Sequence, residues 1–203
     1  NIGGKEYELR DKSFPSVDVS DPLKLSREES ELVRILQSSF RHSGRLRQHI
    51  KFIYDHGGMY RKINGNLLYH GCIPLNDDGS FREITLPFAD CAGKTFHGKA
   101  LLDRIEQEVR SAYFSPYGTK EQKEAADFMW YLWCGADSPL YGKDKMAFFE
   151  RTFLGKEASE LCTEHYEPYY SHTNDASVCE MILEEFGLDK RRGHIVNGHV
   201  PVL

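Results

Sequence analysis

No apolar run in this chain approaches the roughly 18 residues that a membrane-spanning helix needs, so no span is expected. The N-terminus lacks the apolar stretch of a secretory signal. Cysteine is sparse and odd in number: five, at positions 72, 91, 134, 162 and 179, with no Cys-x-x-Cys spacing. That excludes a disulfide framework and a thiolate zinc site, and it points to reduced thiols in a cytoplasmic protein. Basic charge is not in excess. With 26 Lys and Arg against 31 Asp and Glu, the net charge is −5, which leaves no electrostatic footprint for nucleic acid. The cationic clusters at 143–145 and 190–192 are each small enough to be solvated turns. A phosphorylated small molecule, which needs only a few cations in one cleft, stays open. The chain is 40% apolar and 28% charged, so a folded state is expected over disorder. Its 203 residues suit one sizeable domain, or one domain with a helical appendage. It opens on Asn1 and its first methionine is Met59, so it reads as a segment of something longer.

Residues 1–25 read as an extended lead-in, with Gly3-Gly4, Pro15 and Asp21-Pro22. Ser26 and Glu29 have capping-box spacing, and Leu32, Val33, Ile35, Leu36 and Phe40 share one helical face. Leu46, Ile50, Ile53 and Tyr54 mark a second helix closed by Gly57-Gly58, giving a helical hairpin expected to pack on the rest of the protein. Tyr60 to Ile63, then Asn64-Gly65, then Asn66 to Tyr69 predicts a β-hairpin, because Asn-Gly suits a type I′ turn. A short strand is expected within 83–86. Helices are expected over 97–114, 120–133 and 144–153, and another, capped by Asn174 or Asp175, through Phe186 to Gly187. Residues 157–173 read as irregular, and a last strand is expected to run into His199.

Two histidines stand at the ends of the β-prone runs: His70 after Asn66-Leu67-Leu68-Tyr69, and His199 after Ile195-Val196-Asn197-Gly198. Strand ends facing a crevice are where α/β-type folds place ligand-binding groups, and imidazole is a common metal ligand. The pair therefore suggests two ligands meeting in space across 129 residues of chain. Polar residues also end many ordinary strands, and nine histidines give several chance placements, so the pattern alone leaves a structural role open. The loop from Cys134 to Lys145, with two glycines and a proline, carries Lys143 and Lys145 as candidate phosphate contacts. Cys72 is expected to pack beside its strand end, Gly93-Lys94 to be a plain loop lacking any Walker pattern, and His194 to face solvent.

The run Leu68-Tyr69-His70-Gly71-Cys72-Ile73-Pro74-Leu75-Asn76 resembles the strand-end histidine segment of the calcineurin-like metallophosphatases. Gly198-His199-Val200-Pro201 resembles their later segment, whose histidine binds the same metal. Together with Ser138 to Met146 and Ile195 to Val202, these runs make the chain similar to the class III fructose-1,6-bisphosphatases over essentially its whole length. The resemblance implies an α+β fold: the C-terminal part of a metallophosphatase β-sandwich flanked by helices, with the N-terminal hairpin and a helical insertion. The implied division is 1–58 for lead-in and hairpin, and 59–203 for a partial metallophosphatase domain with its insertion at about 92–190. His70 and His199 are then metal ligands, and Lys143 and Lys145 contact substrate. Manganese in a dinuclear site is the implied cofactor, only partly encoded here. A sugar bisphosphate is the substrate, hydrolysed by metal-bound hydroxide in a gluconeogenic step. The remainder of the parent phosphatase is the implied partner. No nucleic acid or membrane is expected, and oligomerisation stays open.

The family's upstream Asp-x-His, Gly-Asp and Gly-Asn-His segments do not occur in this sequence. They supply the bridging aspartate, the other metal's ligands and the acid, so no catalytic residue is assigned here and the isolated chain is expected to be inactive. Two further readings stand beside this one: a non-catalytic interaction or regulatory module derived from such a phosphatase, and a metallophosphatase acting on another substrate.

Overall fold

The computed structural model describes residues 1–2 and 4–200. Gly3 of the lead-in and Pro201-Val202 of the last motif lie outside the described residues. The architecture is mixed α+β, with helices α1 (Arg27–His42), α2 (Gly44–His56), α3 (Gly98–Phe114), α4 (Lys120–Cys134), α5 (Phe148–Phe153), α6 (Ser159–Cys162) and α7 (Ala176–Glu185). The strands are β1 (Tyr60–Ile63), β2 (Asn66–Tyr69), β3 (Ile84–Thr85), β4 (Thr95–Phe96) and β5 (Ile195–Val196). No described helix is long and apolar enough to cross a membrane. The chain divides into two units, Asn1–His56 with Phe148–Cys162, and Gly57–Ala147 with Thr163–Leu203.

In the first unit, α1 begins at a complete capping box. The Glu29 amide donates to Ser26 Oγ at 3.1 Å, and the Ser26 amide donates to the Glu29 carboxylate at 2.7 Å. The stripe that predicts α1 is present, but Leu32, Val33, Ile35, Leu36 and Phe40 are all exposed, and neither α1 nor α2 buries a residue. The lead-in pairs Leu9 with Leu154 and lays Phe14 against Phe153, with ring centroids 5.8 Å apart.

The second unit builds the site. Asn64 and Gly65 both take positive φ, +52° and +79°, as a two-residue type I′ turn between β1 and β2 requires. β5 then pairs with β2 in parallel, Leu67 opposite Ile195 and Leu68 opposite Val196, so the sheet order is β1-β2-β5. Leu67 and Tyr69 alternate inward from β2 onto Ile182, Leu183 and Phe186 of the α7 region, with Ile73 and Leu75 in the same core. Burying each such side chain contributes roughly 1.5–3 kcal/mol, enough to fix the register of these short strands. A second core joins Leu101 and Ile105 of α3 to Phe128 and Leu132 of α4 over Ile84 and Leu86.

Three expectations are corrected. The helix expected over 144–153 begins only at Phe148, because Asp144 turns its backbone and carboxylate to His165 instead. The stretch 157–173 is not wholly irregular; it holds α6 and a 3-10 turn at Pro168–Ser171. The last strand stops at Val196, and His199 lies beyond it with φ +64°. Strand β4, pairing with β3, was not expected, since two residues carry no period.

Candidate functional site

Parallel pairing decides where the two histidines meet. β2 and β5 run the same way, so their C-terminal ends share one edge of the sheet, with His70 one residue past β2 and His199 three past β5. The following loops are sewn together: the Gly198 amide donates to the His70 carbonyl at 3.0 Å, and Asn197 Nδ2 donates to the Gly71 carbonyl at 3.0 Å. A third segment wedges in from the loop after α4. The Cys72 amide donates to the Pro139 carbonyl at 2.9 Å, and a Cβ on Gly71 would stand 2.1 Å from that carbonyl oxygen. Only glycine permits this approach.

The imidazoles face one another. His199 Nδ1 lies 3.1 Å from His70 Nε2, with ring centroids 5.0 Å apart and planes at 76°. His199 Nε2 lies 2.9 Å from the Tyr141 carbonyl oxygen. A carbonyl only accepts, so Nε2 of His199 carries the proton and Nδ1 of the neutral ring presents its lone pair. With His199 neutral, His70 Nε2 is then the donor of the imidazole pair. The left-handed backbone at His199 is costly for a residue with a Cβ, a kind of strain that clusters at functional sites. Both rings are exposed, so a ligand can reach them. Among the described residues, no third His, Cys, Asp or Glu joins them in a group that could hold a metal.

The loop that carries Tyr141 also carries the two candidate lysines. Ser138, fully buried, donates to the Leu132 carbonyl at 2.6 Å, and its own carbonyl accepts from the Tyr141 and Gly142 amides. The Lys143 ammonium lies 2.8 Å from Glu164 and 5.3 Å from the Tyr166 ring centroid; the Glu164 bond holds its pKa above the usual lysine range. Lys145 is half-buried, and its carbonyl accepts from the Tyr141 hydroxyl at 2.9 Å.

Several residues that support this site carry no signal in the sequence. Glu167, 5% exposed, accepts from the Leu75 amide at 2.9 Å and the Tyr169 amide at 2.6 Å, tying down the segment after His70. Burial pushes its pKa up, although those two amides and Arg82 oppose the rise. Arg82 also pairs with Asp137, a non-glycine residue at φ +60°. The Tyr169 amide is a local cap contact, but Leu75 and Arg82 are remote from Glu167, and Asp137 from Arg82, so only the fold brings those together. Cys72 is buried, its thiol pushed up first by burial and then by the Glu167 charge, which suits packing over nucleophilic work. The buried Tyr69 and Tyr169 hydroxyls lie 2.7 Å apart, and burial raises Tyr169 to about 12. His194 is exposed, with Nδ1 3.1 Å from the Asn66 side-chain oxygen. Gly93-Lys94 is a turn, with Gly93 at φ +75°.

Comparisons with known proteins bear on this geometry. The chain is 48% identical over 202 residues to a protein named fructose-1,6-bisphosphatase class 3 from Listeria innocua, covering 100% of this chain and 30% of that relative. Proteins of the same name from Clostridium acetobutylicum and Bacteroides fragilis are each 47% identical, over 99% and 98% of this chain and 29% of their own lengths. The chain thus spans about 30% of the length of the curated relatives it matches. No solved structure gives a significant match. The family model described as Firmicute fructose-1,6-bisphosphatase matches residues 1–203, and the chain belongs to that family.

Proposed function

We propose that this chain supplies two imidazole ligands, and part of the substrate-binding surface, to a metal-dependent phosphatase that removes the 1-phosphate of fructose 1,6-bisphosphate. The observation that carries this reading is the approach of His70 Nε2 and His199 Nδ1 to 3.1 Å, with the His199 tautomer set by the Tyr141 carbonyl. Nitrogens 3.1 Å apart are close enough for both to reach one divalent cation at metal–nitrogen distances of about 2.0–2.2 Å. A second group on the far ring nitrogen, here a backbone carbonyl, is the usual arrangement behind a ligating histidine. The donor set therefore fits one divalent ion of the manganese type. When bound, that ion supplies a Lewis acid for phosphate oxygen and lowers the pKa of water.

The residues of this chain would hold and orient. His70 and His199 bind, and the Tyr141 carbonyl keeps the lone pair of His199 inward. Lys143 or Lys145 meets a substrate phosphate, a role Lys143 would share with its bond to Glu164. The aspartates and asparagine that complete a dinuclear site come from the remainder of the parent protein, so this chain alone is inactive. In that parent, residues 59–203 form the C-terminal part of a metallophosphatase sandwich with an insertion at about 92–190, and residues 1–58 form its lead-in and hairpin. The parent acts in gluconeogenesis in the cytoplasm.

A second reading, a non-catalytic module derived from such a phosphatase, is favoured by the lack of a third candidate ligand among the described residues. Assaying manganese-dependent hydrolysis of fructose 1,6-bisphosphate separates the two. The enzyme reading expects turnover by the full-length parent, its loss in His70→Ala and His199→Ala, and none from the 203-residue chain. Unchanged turnover in both parent variants overturns it.

A further inference from the structure

The proton on His199 is set by the Tyr141 carbonyl, and the position of that carbonyl depends on how the loop from Ser138 to Ala147 is held. Its first half is fixed by Ser138, through the two amides its carbonyl accepts. The second half is zipped onto the segment from Thr163 to Glu167. The Glu167 amide donates to the Gly142 carbonyl at 3.0 Å, Lys143 bridges to Tyr166, and the Asp144 amide donates to the His165 carbonyl at 3.0 Å. The Asp144 carboxylate returns to the His165 amide at 2.8 Å and to its ring at 2.9 Å.

At the end of this zipper stands Glu164, whose side chain is only 7% exposed. One carboxylate oxygen takes the Lys143 ammonium at 2.8 Å, and the other accepts from the Ala147 amide at 2.9 Å. It thus clamps the loop two residues and six residues beyond Tyr141. A carboxylate so buried survives only because both oxygens are satisfied, so losing it frees the Ala147 amide and the Lys143 ammonium together. The Tyr141 hydroxyl, on the Lys145 carbonyl at 2.9 Å, spans part of the loop from within, whereas Glu164 holds it from the facing segment.

We propose that Glu164 is a positioning residue for His199: by clamping Lys143 and Ala147 it keeps the Tyr141 carbonyl on Nε2 and so holds the Nδ1 lone pair toward His70. This rests on the metal-ligand reading for its purpose, though not for its test. The Asp144 and His165 pair works beside it but is exposed, which leaves Glu164 as the buried anchor.

The test reads the ring nitrogens of His199 directly, in the metal-free 203-residue chain labelled with 15N-histidine, by long-range proton–nitrogen correlation at a pH where imidazoles are neutral. In the wild type His199 should show a protonated Nε2 and a bare Nδ1. The Tyr141 hydrogen bond is worth about 0.5–1.5 kcal/mol, so its loss should shift the tautomer ratio by roughly 2- to 13-fold toward the other form. Glu164→Ala should produce that shift. Glu164→Gln, which keeps an acceptor for Ala147, should restore most of the wild-type ratio, and Lys143→Met should fall between them. A folded Glu164→Ala with the wild-type ratio overturns the proposal. If Glu164→Ala does not fold, a wild-type ratio in a folded Lys143→Met overturns it equally. Failure of the metal reading shows separately, as wild-type His70 and His199 signals that ignore an added divalent cation.

Discussion

Substituting alanine at Gly71 adds one methyl group beside the strand-end His70, where a small residue already suggests a close backbone approach. The added Cβ would stand 2.1 Å from the Pro139 carbonyl oxygen and within 3.3 Å of the Leu140 Cα, all backbone atoms without a flexible end to swing aside. The segment must therefore retreat by about 1 Å, which costs about 1–3 kcal/mol as overpacking. Retreat also breaks the hydrogen bond from the Cys72 amide to Pro139, about 0.5–1.5 kcal/mol more. The sum, about 1.5–4.5 kcal/mol, should lower the urea midpoint by roughly 1–2 M for an ordinary dependence on denaturant. Gly198 is the control. It adjoins the other histidine, yet a Cβ there meets nothing nearer than the His70 carbonyl at 3.9 Å. Gly198→Ala should unfold close to the wild type. A Gly71→Ala chain with the wild-type midpoint refutes the wedged loop, and with it the route by which Tyr141 reaches His199.

Alanine at whichever of Lys143 and Lys145 meets phosphate should lower kcat/KM of the full-length parent by roughly 10- to 150-fold, the worth of a charge-assisted contact, against Lys190→Ala as a surface control. Lys143→Ala should also lower stability, because it strips the mostly buried Glu164 of its cation, whereas Lys145→Ala leaves that pair intact; two variants matching the control make the loop a turn only. Glu167→Gln should destabilise by about 1–3 kcal/mol, since an amide nitrogen must then face the Leu75 or Tyr169 amide. Burial raises the Glu167 pKa above its ordinary 4.5, so the folded chain binds this proton more tightly and the group's contribution to stability falls as pH rises from about 4.5 through the raised value. Wild-type stability minus that of Glu167→Gln should slope downward across that window, and an upward slope contradicts the buried assignment.

Signals local to a few residues were legible: the capping box at Ser26 and Glu29, the Asn64-Gly65 turn, and Asp175, whose side chain accepts from the Ser177 amide to start α7. The pairing of the two histidine-bearing segments was expected from their matched strand ends and is brought about by β2 and β5 running parallel. What escaped depends on distant partners. Asp144 looks like a helix start until His165 is placed beside it, 21 residues away. Glu164 and Glu167 look like surface carboxylates in a tyrosine- and glutamate-rich stretch, and only folding buries them against Lys143 and Leu75. The left-handed backbone of His199 is invisible because no glycine or asparagine marks it. The exposed stripe of α1 shows the converse: periodicity predicts the helix but not the burial of its apolar face.

The claim that matters most is that His70 and His199 serve one cation through Nε2 and Nδ1. Titrating the 15N-histidine chain with zinc, a diamagnetic ion that imidazole binds at about 2.0–2.1 Å, tests it without the rest of the parent protein. The account predicts that His70 Nε2 and His199 Nδ1 shift together along one binding curve, that His199 Nε2 keeps its proton on Tyr141, and that His70→Ala abolishes the response at His199. Shifts at only one of the two rings, separate curves, or a His199 response that survives His70→Ala would contradict it.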